Sequence, residues 1–394
     1  MIYGKERDKK NGNGTQKNLS HRKYIIGIVL LVLLFIIAAL VFTYLNMEPK
    51  SDPASAAIIR REAAIRLNKD PNELTDADFA KITELDFIAR PPKNYEGSFP
   101  PWSITDFSDI KLLEKFTNLE QLDLRGIKYP DKNIPKWMKF LAKYGIFDLE
   151  EKFAIDLSPI KNLSSLKELR LNGAHVSDIT PLKGLTNLEV LYIGGLRISN
   201  LEPLKGLQNL RVLDLMGLPV SDLEPLKNLK NLQTLNITHT KVISLEPIRG
   251  LTNLQTLYIE YTKVADLGPL IGLKNIEMID MTRNPVSNLE PIKSLKNLRE
   301  LCLESTMIID FEPLKSLQNL NGLSLESTMI TDLEPLKSLQ NLHELNLEGT
   351  MIINLEPLKR LTNLQYINLK NCRNITDKQV DNLQKALPNL KIVR

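Results

Sequence analysis

Carboxylate side chains recur at a fixed spacing toward the C-terminal end of the chain, where they could bind a cation or a basic partner. Most are related by steps of 22 residues, and the group comprises Glu300, Glu304, Glu326, Glu344 and Glu348. Like charges placed directly opposite one another on neighbouring strands repel by up to about 1 kcal/mol per pair. A row of this kind favours a positively charged ligand, although its spacing matches no EF-hand calcium loop.

A second group of residues, N-terminal to these glutamates, has the composition of a protein interface. Its members are Val190, Tyr192, Val212, Met216 and Tyr258, and Glu260 is adjacent to the last of them. Aromatic residues and methionine are enriched at the centres of protein interfaces. We therefore predict that these residues, together with the glutamates, bind another protein.

The residue types that usually carry catalysis or hold a metal ion are few and scattered. The histidines are His21, His175, His239 and His343, and none has the spacing of a metal site or of a Ser-His-Asp arrangement. No glycine-rich phosphate loop is present either. We expect no enzymatic activity, no cofactor and no metal site.

A 22-residue period positions both groups of candidate residues. It runs without insertion from Ser165, and two residue types mark it in every unit. They are Asn187, Asn209, Asn231, Asn253, Asn275, Asn297, Asn319, Asn341 and Asn363, and Pro181, Pro203, Pro225, Pro247, Pro269, Pro291, Pro313, Pro335 and Pro357. One unit, "NLEVLYIGGLRISNLEPLKGLQ" at 187–208, matches the spacing L-x-x-L-x-L-x-x-N/C-x-L.

This spacing resembles that of leucine-rich repeats and predicts an α/β solenoid. Leu191 and Ile193 point the same way from a short strand, because side chains alternate along a strand. Stacked coils then form a curved horseshoe with a concave parallel β-sheet of ten or eleven coils and one continuous core. Residues flanking the strand leucines face the concave side, and we expect no requirement of the fold to fix their identity.

The position that usually carries Asn in such a repeat is predicted to be structural here. It is occupied by Thr240, Thr262, Asn284, Thr306, Thr328, Thr350 and Cys372. Cys302 lies three coils from Cys372, a separation of roughly 15 Å that excludes a disulfide between them. With only these two cysteines, the sequence indicates no disulfide framework and no cysteine-based zinc site.

The "PLKxLxNLxxL" segments resemble those of bacterial internalins and of the leucine-rich regulatory subunit of protein phosphatase 1. Residues 57–87 resemble the helical N-terminal cap of internalin-like proteins. In this segment Thr75 and Asp78 are predicted to cap the second helix, and a first strand follows at the end. Irregular repeats with two inserts, which contain Trp102 and Trp137, follow at 88–164. Regular repeats are predicted at 165–372.

The C-terminal cap is predicted at 373–394, where a helix starts at Thr376 and buries Leu383 and Leu387. It would shield the core face of the last coil from water. An N-terminal cap is required for the same reason, because the exposed core face of a terminal repeat is unfavourable.

The N-terminal region predicts a membrane anchor. Residues 24–45 form an uncharged apolar run that, as a helix, would reach about 33 Å and span a bilayer. The tail at 1–23 holds seven Lys/Arg against Glu6 and Asp8, which favours a cytoplasmic N-terminus. Residues 46–56 would then tether the repeats on the exocytoplasmic side, periplasmic or extracellular.

The charge balance and these features together favour a membrane-anchored protein-binding scaffold. Without the basic tail, the chain has 44 basic and 45 acidic residues of the total 51 and 47, which gives no general reason to bind nucleic acid. Two alternatives remain open. One is a passive spacer of the cell envelope, and the other is a cytoplasmic regulatory subunit of an enzyme such as a phosphatase.

Overall fold

The structure is a computed structural model that describes residues 53–86, 107–125, 143 and 154–394. The predicted transmembrane segment 24–45 and its basic tail lie outside these residues. So do most of the two inserts, with Trp102 and Trp137. Among the described residues, no helix has both the length and the apolar character that crossing a bilayer requires.

The described residues contain thirteen strands, which form one open, curved parallel sheet in which each strand pairs with the next along the chain. The strands are β1 (Glu84–Asp86), β2 (Gln121–Asp123), β3 (Glu168–Arg170), β4 (Val190–Tyr192), β5 (Val212–Asp214), β6 (Thr234–Asn236), β7 (Thr256–Tyr258), β8 (Met278–Asp280), β9 (Glu300–Cys302), β10 (Gly322–Ser324), β11 (Glu344–Asn346), β12 (Tyr366–Asn368) and β13 (Lys391–Val393). The predicted parallel sheet is confirmed, and its strand number exceeds the predicted ten or eleven.

The register follows directly from the period of the sequence. From β3 to β12 each residue pairs with the residue 22 positions further on, so that Leu191 lies beside Leu213 and Leu213 beside Leu235. The middle residue of each strand is buried in β1 to β12, whereas its two neighbours in the strand point to the opposite side of the sheet. This opposite side is called the sheet face below.

The return half of each coil closes the core with a short 3-10 helix. In the coil of β4 this helix is Glu202–Leu204, with Pro203 in its first turn, where no backbone donor is needed. Leu204, Leu207 and Leu210 are fully buried. Each buried leucine contributes about 1.5–3 kcal/mol relative to an exposed one, so stacking supplies what a single coil cannot.

The periodic asparagines form a ladder of hydrogen bonds between coils. Each side-chain Nδ2 donates to a main-chain carbonyl 23 residues earlier, for example from Asn187 to Ser164 at 2.8 Å and from Asn363 to Gln340 at 2.7 Å. The same bond is made by all nine members of the row. The asparagines therefore belong to the fold and are not available as binding residues.

The threonine position is structural, as predicted. Thr240 Oγ1 donates to the carbonyl of Ile237 at 2.7 Å, and Thr262, Thr306, Thr328 and Thr350 make the equivalent bond. Asn284 bonds the Ile259 carbonyl of the previous coil at 2.8 Å, and Cys372 Sγ donates to the carbonyl of Leu347 at 3.0 Å. Cys372 thus acts as a small buried donor.

The N-terminal cap contains two α-helices, α1 (Pro53–Leu67) and α2 (Asp76–Phe79). Helix α1 begins inside the segment predicted as a tether. The predicted capping of α2 is confirmed, because Thr75 and Asp78 form a capping box. The pKa of Asp78 is held far below its usual range, mainly by a hydrogen bond from the Lys69 ammonium group. Hydrogen bonds from the Thr75 N–H and from Lys81 lower this pKa further.

The C-terminal cap contains α3 (Asp377–Ala386), which starts at a capping box of Thr376 and Gln379 and buries Leu383 and Leu387, as predicted. The sequence did not predict the strand that follows. In β13, Ile392 pairs with Ile367 of β12, so a final strand covers the edge of the regular sheet.

Candidate protein-binding surface

Three rows of side chains make up the sheet face. The first row is the first residue of each strand, the second row is the third residue, and the third row is the residue two positions after the strand end. Because neighbouring strands lie about 4.8 Å apart, residues of one row stack in the order of the chain. Every residue predicted to bind a partner belongs to one of these rows.

The structure brings most of the predicted apolar residues together. Val190 and Val212 are directly paired on β4 and β5, and Tyr192 lies next to Asp214. Met216 follows in the third row and is 45% exposed, which is high for so large an apolar side chain. Tyr258 is three strands away from Tyr192, at roughly 14 Å by strand spacing, and belongs to a separate part of the face.

Tyr192 is held in place by Arg170, the residue beside it on the preceding strand. The Arg170 guanidinium carbon lies 4.7 Å from the centre of the Tyr192 ring, a cation–π contact, and Arg170 also pairs with Glu168. Such a contact stabilises an exposed site by about 0.5–1 kcal/mol. A ring fixed in this way loses little conformational entropy on binding, which suits an interface anchor.

The expectation that no fold requirement fixes the sheet-face residues was wrong for the second row. Asp214 accepts the main-chain N–H of Met216 at 2.9 Å, and Asn236 accepts that of Thr238 at 3.0 Å. The same turn recurs at Asp280, Asn346 and Asn368. These carboxylate and amide oxygens satisfy the N–H groups left unpaired where each strand ends.

The third-row glutamates are not the uncompensated ladder that the sequence suggested. Ser324 Oγ donates to Glu304 at 2.7 Å, Asn346 Nδ2 donates to Glu326 at 3.0 Å and Asn368 Nδ2 donates to Glu348 at 2.9 Å. Each second-row donor belongs to the coil after the glutamate it contacts. The second row therefore holds the third-row carboxylates over the sheet face in a regular array.

The first-row glutamates are arranged differently. Glu300 and Glu344 flank Gly322, and the Glu300 carboxylate occupies the space that a side chain at 322 would fill. Partial burial, and then the charge of Glu344, raise the pKa of Glu300 above its usual value. Burial likewise raises the pKa of Glu304, against the opposing effect of the Ser324 hydrogen bond.

The boundary between the apolar and the acidic parts of the face holds a compact acidic group. Burial and the adjacent Asp280 raise the pKa of Glu260. Cys302 lies beside Asp280 on the next strand, and burial followed by the charges of Asp280 and Glu304 raises the pKa of its thiol to about 12. This thiol stays protonated at neutral pH and is a poor nucleophile.

Sequence reasoning missed a row of left-handed residues one position after the third row. Its members with positive φ are Gly173, Gly195, Gly217, His239, Tyr261, Arg283, Ser305, Ser327, Gly349 and Asn371. The glycines at one phase were the available signal. Three bulky members are stacked: the rings of His239 and Tyr261 lie 4.2 Å apart, and the Arg283 guanidinium carbon lies 5.0 Å from the Tyr261 ring centre.

The chain is similar to proteins built from leucine-rich repeats. The family described as Leucine Rich repeats (2 copies) matches residues 164–206, 186–228, 230–272 and 252–294. No curated protein sequence matches the chain.

Solved structures of bacterial repeat proteins share the fold. An internalin (inlF) from Listeria monocytogenes str. 4b F2365 aligns with a TM-score of 0.69 and 25% identity over 85% of this chain and 87% of its own. A leucine-rich repeat protein of Leptospira interrogans aligns with a TM-score of 0.62 and 24% identity over 72% and 68%. The functional domain of InlJ from Listeria monocytogenes aligns with a TM-score of 0.61 and 20% identity over 84% and 67%. The chain thus contains leucine-rich repeats at 164–294 and resembles internalins in its fold.

Proposed function

We propose that this protein is a membrane-anchored scaffold that binds another protein through its sheet face. The observation that supports this most strongly is the apolar group around half-buried Tyr192 and exposed Met216 on the sheet face. Solenoids of this kind typically serve as binding surfaces and not as enzymes. The residues of the proposed surface are Val190, Tyr192, Val212, Met216, Tyr258, Glu260, Glu300, Glu304, Glu326, Glu344 and Glu348.

The two parts of this surface have different roles in the proposal. The apolar part supplies the contact area from which most interface energy comes, with Tyr192 and Met216 as anchors. The acidic part orients a partner that is basic at the corresponding end and accelerates its approach. A partner of this protein would therefore present an apolar or aromatic centre next to a basic region.

Replacing Tyr192, Met216 and Tyr258 together with Ala tests the surface. The full chain is used to capture partners from extracts of the producing cells, the captured protein is identified, and its affinity for both forms is measured. We expect the triple variant to bind at least about tenfold more weakly, a loss of about 1.4 kcal/mol or more. Its thermal melt should stay nearly unchanged, because all three side chains lie on the solvent side of the sheet.

A matched control lies on the return side of the coils. Lys205, Lys227 and Arg249 each pair with a glutamate three residues earlier, and surface pairs of this kind contribute little stability. Replacing these three with Ala should leave capture intact. Equal capture by the sheet-face variant and the wild type would reject the surface, and the absence of any captured protein would favour a spacer role.

The proposed topology places residues 24–45 across a membrane and the repeats outside the cytoplasm. It rests on the apolar run and on the basic tail that precedes it. Protease added to intact cells or spheroplasts should then digest the repeats while a cytoplasmic marker protein stays intact. Repeats that become accessible only after lysis would contradict this topology and favour a cytoplasmic regulatory subunit.

A further inference from the structure

The late coils, with strands β9, β10 and β11, carry a large exposed apolar patch away from the sheet face. Met307, Met329 and Met351 occupy one phase of three consecutive repeats and are 66%, 65% and 55% exposed. Two positions further along their coils, Ile309 and Ile353 are 81% and 62% exposed. These five residues are called the methionine stripe. Their combined exposed area is on the order of the largest apolar patch of a typical monomer, about 300–600 Å².

The fold does not require methionine at this phase. The equivalent residues of two earlier coils are Lys241 and Lys263, which are exposed and whose main-chain N–H groups bond the preceding coil in the same way as that of Met307. A long polar side chain therefore fits the same backbone. The burial that stabilises each coil lies instead at the next residue, as at Ile308.

Duplication of a coil is a sufficient source of the repeated methionines, because residues 303–320 and 325–342 are identical at 16 of 18 positions. The methionines are exposed, so core packing does not require them. The proposal therefore rests on the exposure and surroundings of the methionines and not on their repetition.

Within the turn segments that carry the stripe, all charges are of one sign. The segments 303–310, 325–332 and 347–354 contain five acidic residues and no Lys, Arg or His. Third-row glutamates precede each methionine by three residues, and Asp310 and Asp332 follow on the other side. Three residues of chain reach at most about 10 Å, so both acidic rows are close to the stripe. The five acidic residues are Glu304, Asp310, Glu326, Asp332 and Glu348.

Basic residues border the patch at its two ends. Arg283 lies in the coil before it and opposes the rise in the pKa of Glu304, and exposed Arg373 occupies the stripe phase in the coil after Met351. Lys315, Lys337 and Lys359 of the return helices each form an ion pair with the glutamate three residues before them. Asp310 and Asp332 accept the main-chain N–H groups of these helices, which holds both carboxylates next to the stripe. The patch therefore combines an apolar centre with a negative potential on both sides.

The spacing of the stripe matches an α-helix laid across the coils. Neighbouring coils repeat at about 4.8 Å, and residues three or four apart in a helix are separated by about 4.5–6 Å along its axis. Apolar residues at i, i+3 or i+4, and i+7 of such a helix would each meet one methionine. Methionine adapts to varied apolar partners and is common on surfaces that bind amphipathic helices.

We propose that the methionine stripe is a docking site for a basic amphipathic helix of a partner protein, with Lys or Arg flanking its apolar face. The acidic rows on both sides select the charge of the helix, and the three methionines set its apolar spacing. The acidic rows also repel an anionic membrane surface, which disfavours a membrane as the occupant. The site shares Glu304, Glu326 and Glu348 with the acidic part of the sheet-face surface. None of its five apolar residues belongs to that surface, and the proposal does not depend on the proposed function.

A pair of synthetic helical peptides tests this site. The first, of about 18 residues, has leucines at i, i+3, i+4 and i+7 and lysines elsewhere, and the second has glutamate in place of every lysine. Each is fluorescently labelled and titrated with the full chain in a neutral detergent, with detergent alone subtracted. We expect the lysine peptide to bind at least about tenfold more tightly than the glutamate peptide, and its binding to weaken with added salt.

Variants of the full chain localise the binding. The triple replacement Met307→Lys, Met329→Lys and Met351→Lys introduces the residue that Lys241 and Lys263 already provide at this phase, so the coils should still fold. We expect this variant to bind the lysine peptide at least about tenfold more weakly than the wild type. Ile271→Lys is the matched control, because Ile271 is 51% exposed and Lys or Arg occupies its phase in other coils, as at Lys293.

Several outcomes would overturn the proposal. They are no binding of the lysine peptide, equal binding of both peptides, and equal binding by the wild type and the methionine variant. A dimer of the full chain that disappears in the methionine variant would assign the stripe to a second copy instead. The Ala variant of Tyr192, Met216 and Tyr258 should bind the lysine peptide normally, so failure here and failure of the proposed function are distinguishable.

Discussion

The early coils, with strands β4 to β8, and the late coils, with strands β9 to β11, have the same interior and different surfaces. Both use a buried leucine or isoleucine in the middle of each strand and the same asparagine ladder, from Asn187 to Asn341. On the sheet face, Val190 and Val212 of the early coils are replaced by Glu300 and Glu344 of the late ones.

The turn side of the coils differs as well. The early coils place His239, Tyr261 and Arg283 in left-handed conformations and Lys241 and Lys263 at the next exposed phase. The late coils place Ser305, Ser327 and Gly349 in left-handed conformations and methionine at the next exposed phase. Because the left-handed residues of both regions donate the same main-chain hydrogen bond to the next coil, their side chains can differ on one backbone. Each region can therefore present a different binding surface on one scaffold.

Among the changes that compare the early and late coils, the largest effect on stability is expected in the row of left-handed residues. Gly217 has φ of +73°, and the nearest atoms to an added Cβ, both of Gly195, lie 3.9 Å away. Gly217→Ala therefore meets no clash, and its cost is the left-handed conformation itself, about 1–2 kcal/mol. Urea unfolding monitored by circular dichroism measures this difference.

The reciprocal change in a late coil should have the opposite sign. Ser327 has φ of +56°, so Ser327→Gly removes strain and stabilises the protein, but by less, because glycine loses about 0.5–1 kcal/mol more backbone entropy on folding. His239→Gly should gain nothing, since it also removes the stacking on Tyr261. Destabilisation by Ser327→Gly would mean that the two regions do not share one backbone requirement.

The repeat and its core could be predicted from the sequence because one local pattern specifies them many times. Leu191 and its equivalents alternate with outward residues in every unit, and the threonine phase from Thr240 onward is fixed by a bond within its own turn. Capping signals are equally local, as at Thr75 and Thr376. Local rules are sufficient wherever the partner of a group lies within a few residues.

The chemistry of the surface could not be predicted in the same way, because it depends on contacts between coils. The glutamates were predicted to repel one another, but Glu326 accepts a hydrogen bond from Asn346 of the next coil. The second row was predicted to be free, but Asp214 caps its own strand end. The exposure of Met329 beside the buried Ile330 is set by the path of the turn, which the spacing of leucines does not specify.

The smallest expected effect concerns the charges of the late coils. Burial is the main cause that raises the pKa of both Glu300 and Glu304 in the folded protein. A carboxyl whose pKa is raised by folding binds its proton more tightly in the folded state, so stability falls as pH rises from about 4 through the raised pKa. The variant with Glu300→Gln and Glu304→Gln has no carboxyl at these positions and should not lose stability in this way as pH rises.

At pH 7 we therefore expect this double variant to be more stable than the wild type by a few tenths of a kcal/mol, because exposed charges are screened by solvent. Below about pH 4 both forms of the protein carry neutral side chains at these positions, and the difference should disappear. Glu224→Gln is the control in an early coil, where the loss of the ion pair with Lys227 can only lower stability slightly.

If the double variant is less stable than the wild type at pH 7, the hydrogen bond from Ser324 outweighs the burial of Glu304. The acidic face would then stabilise the late coils themselves, and would no longer be evidence for a basic partner.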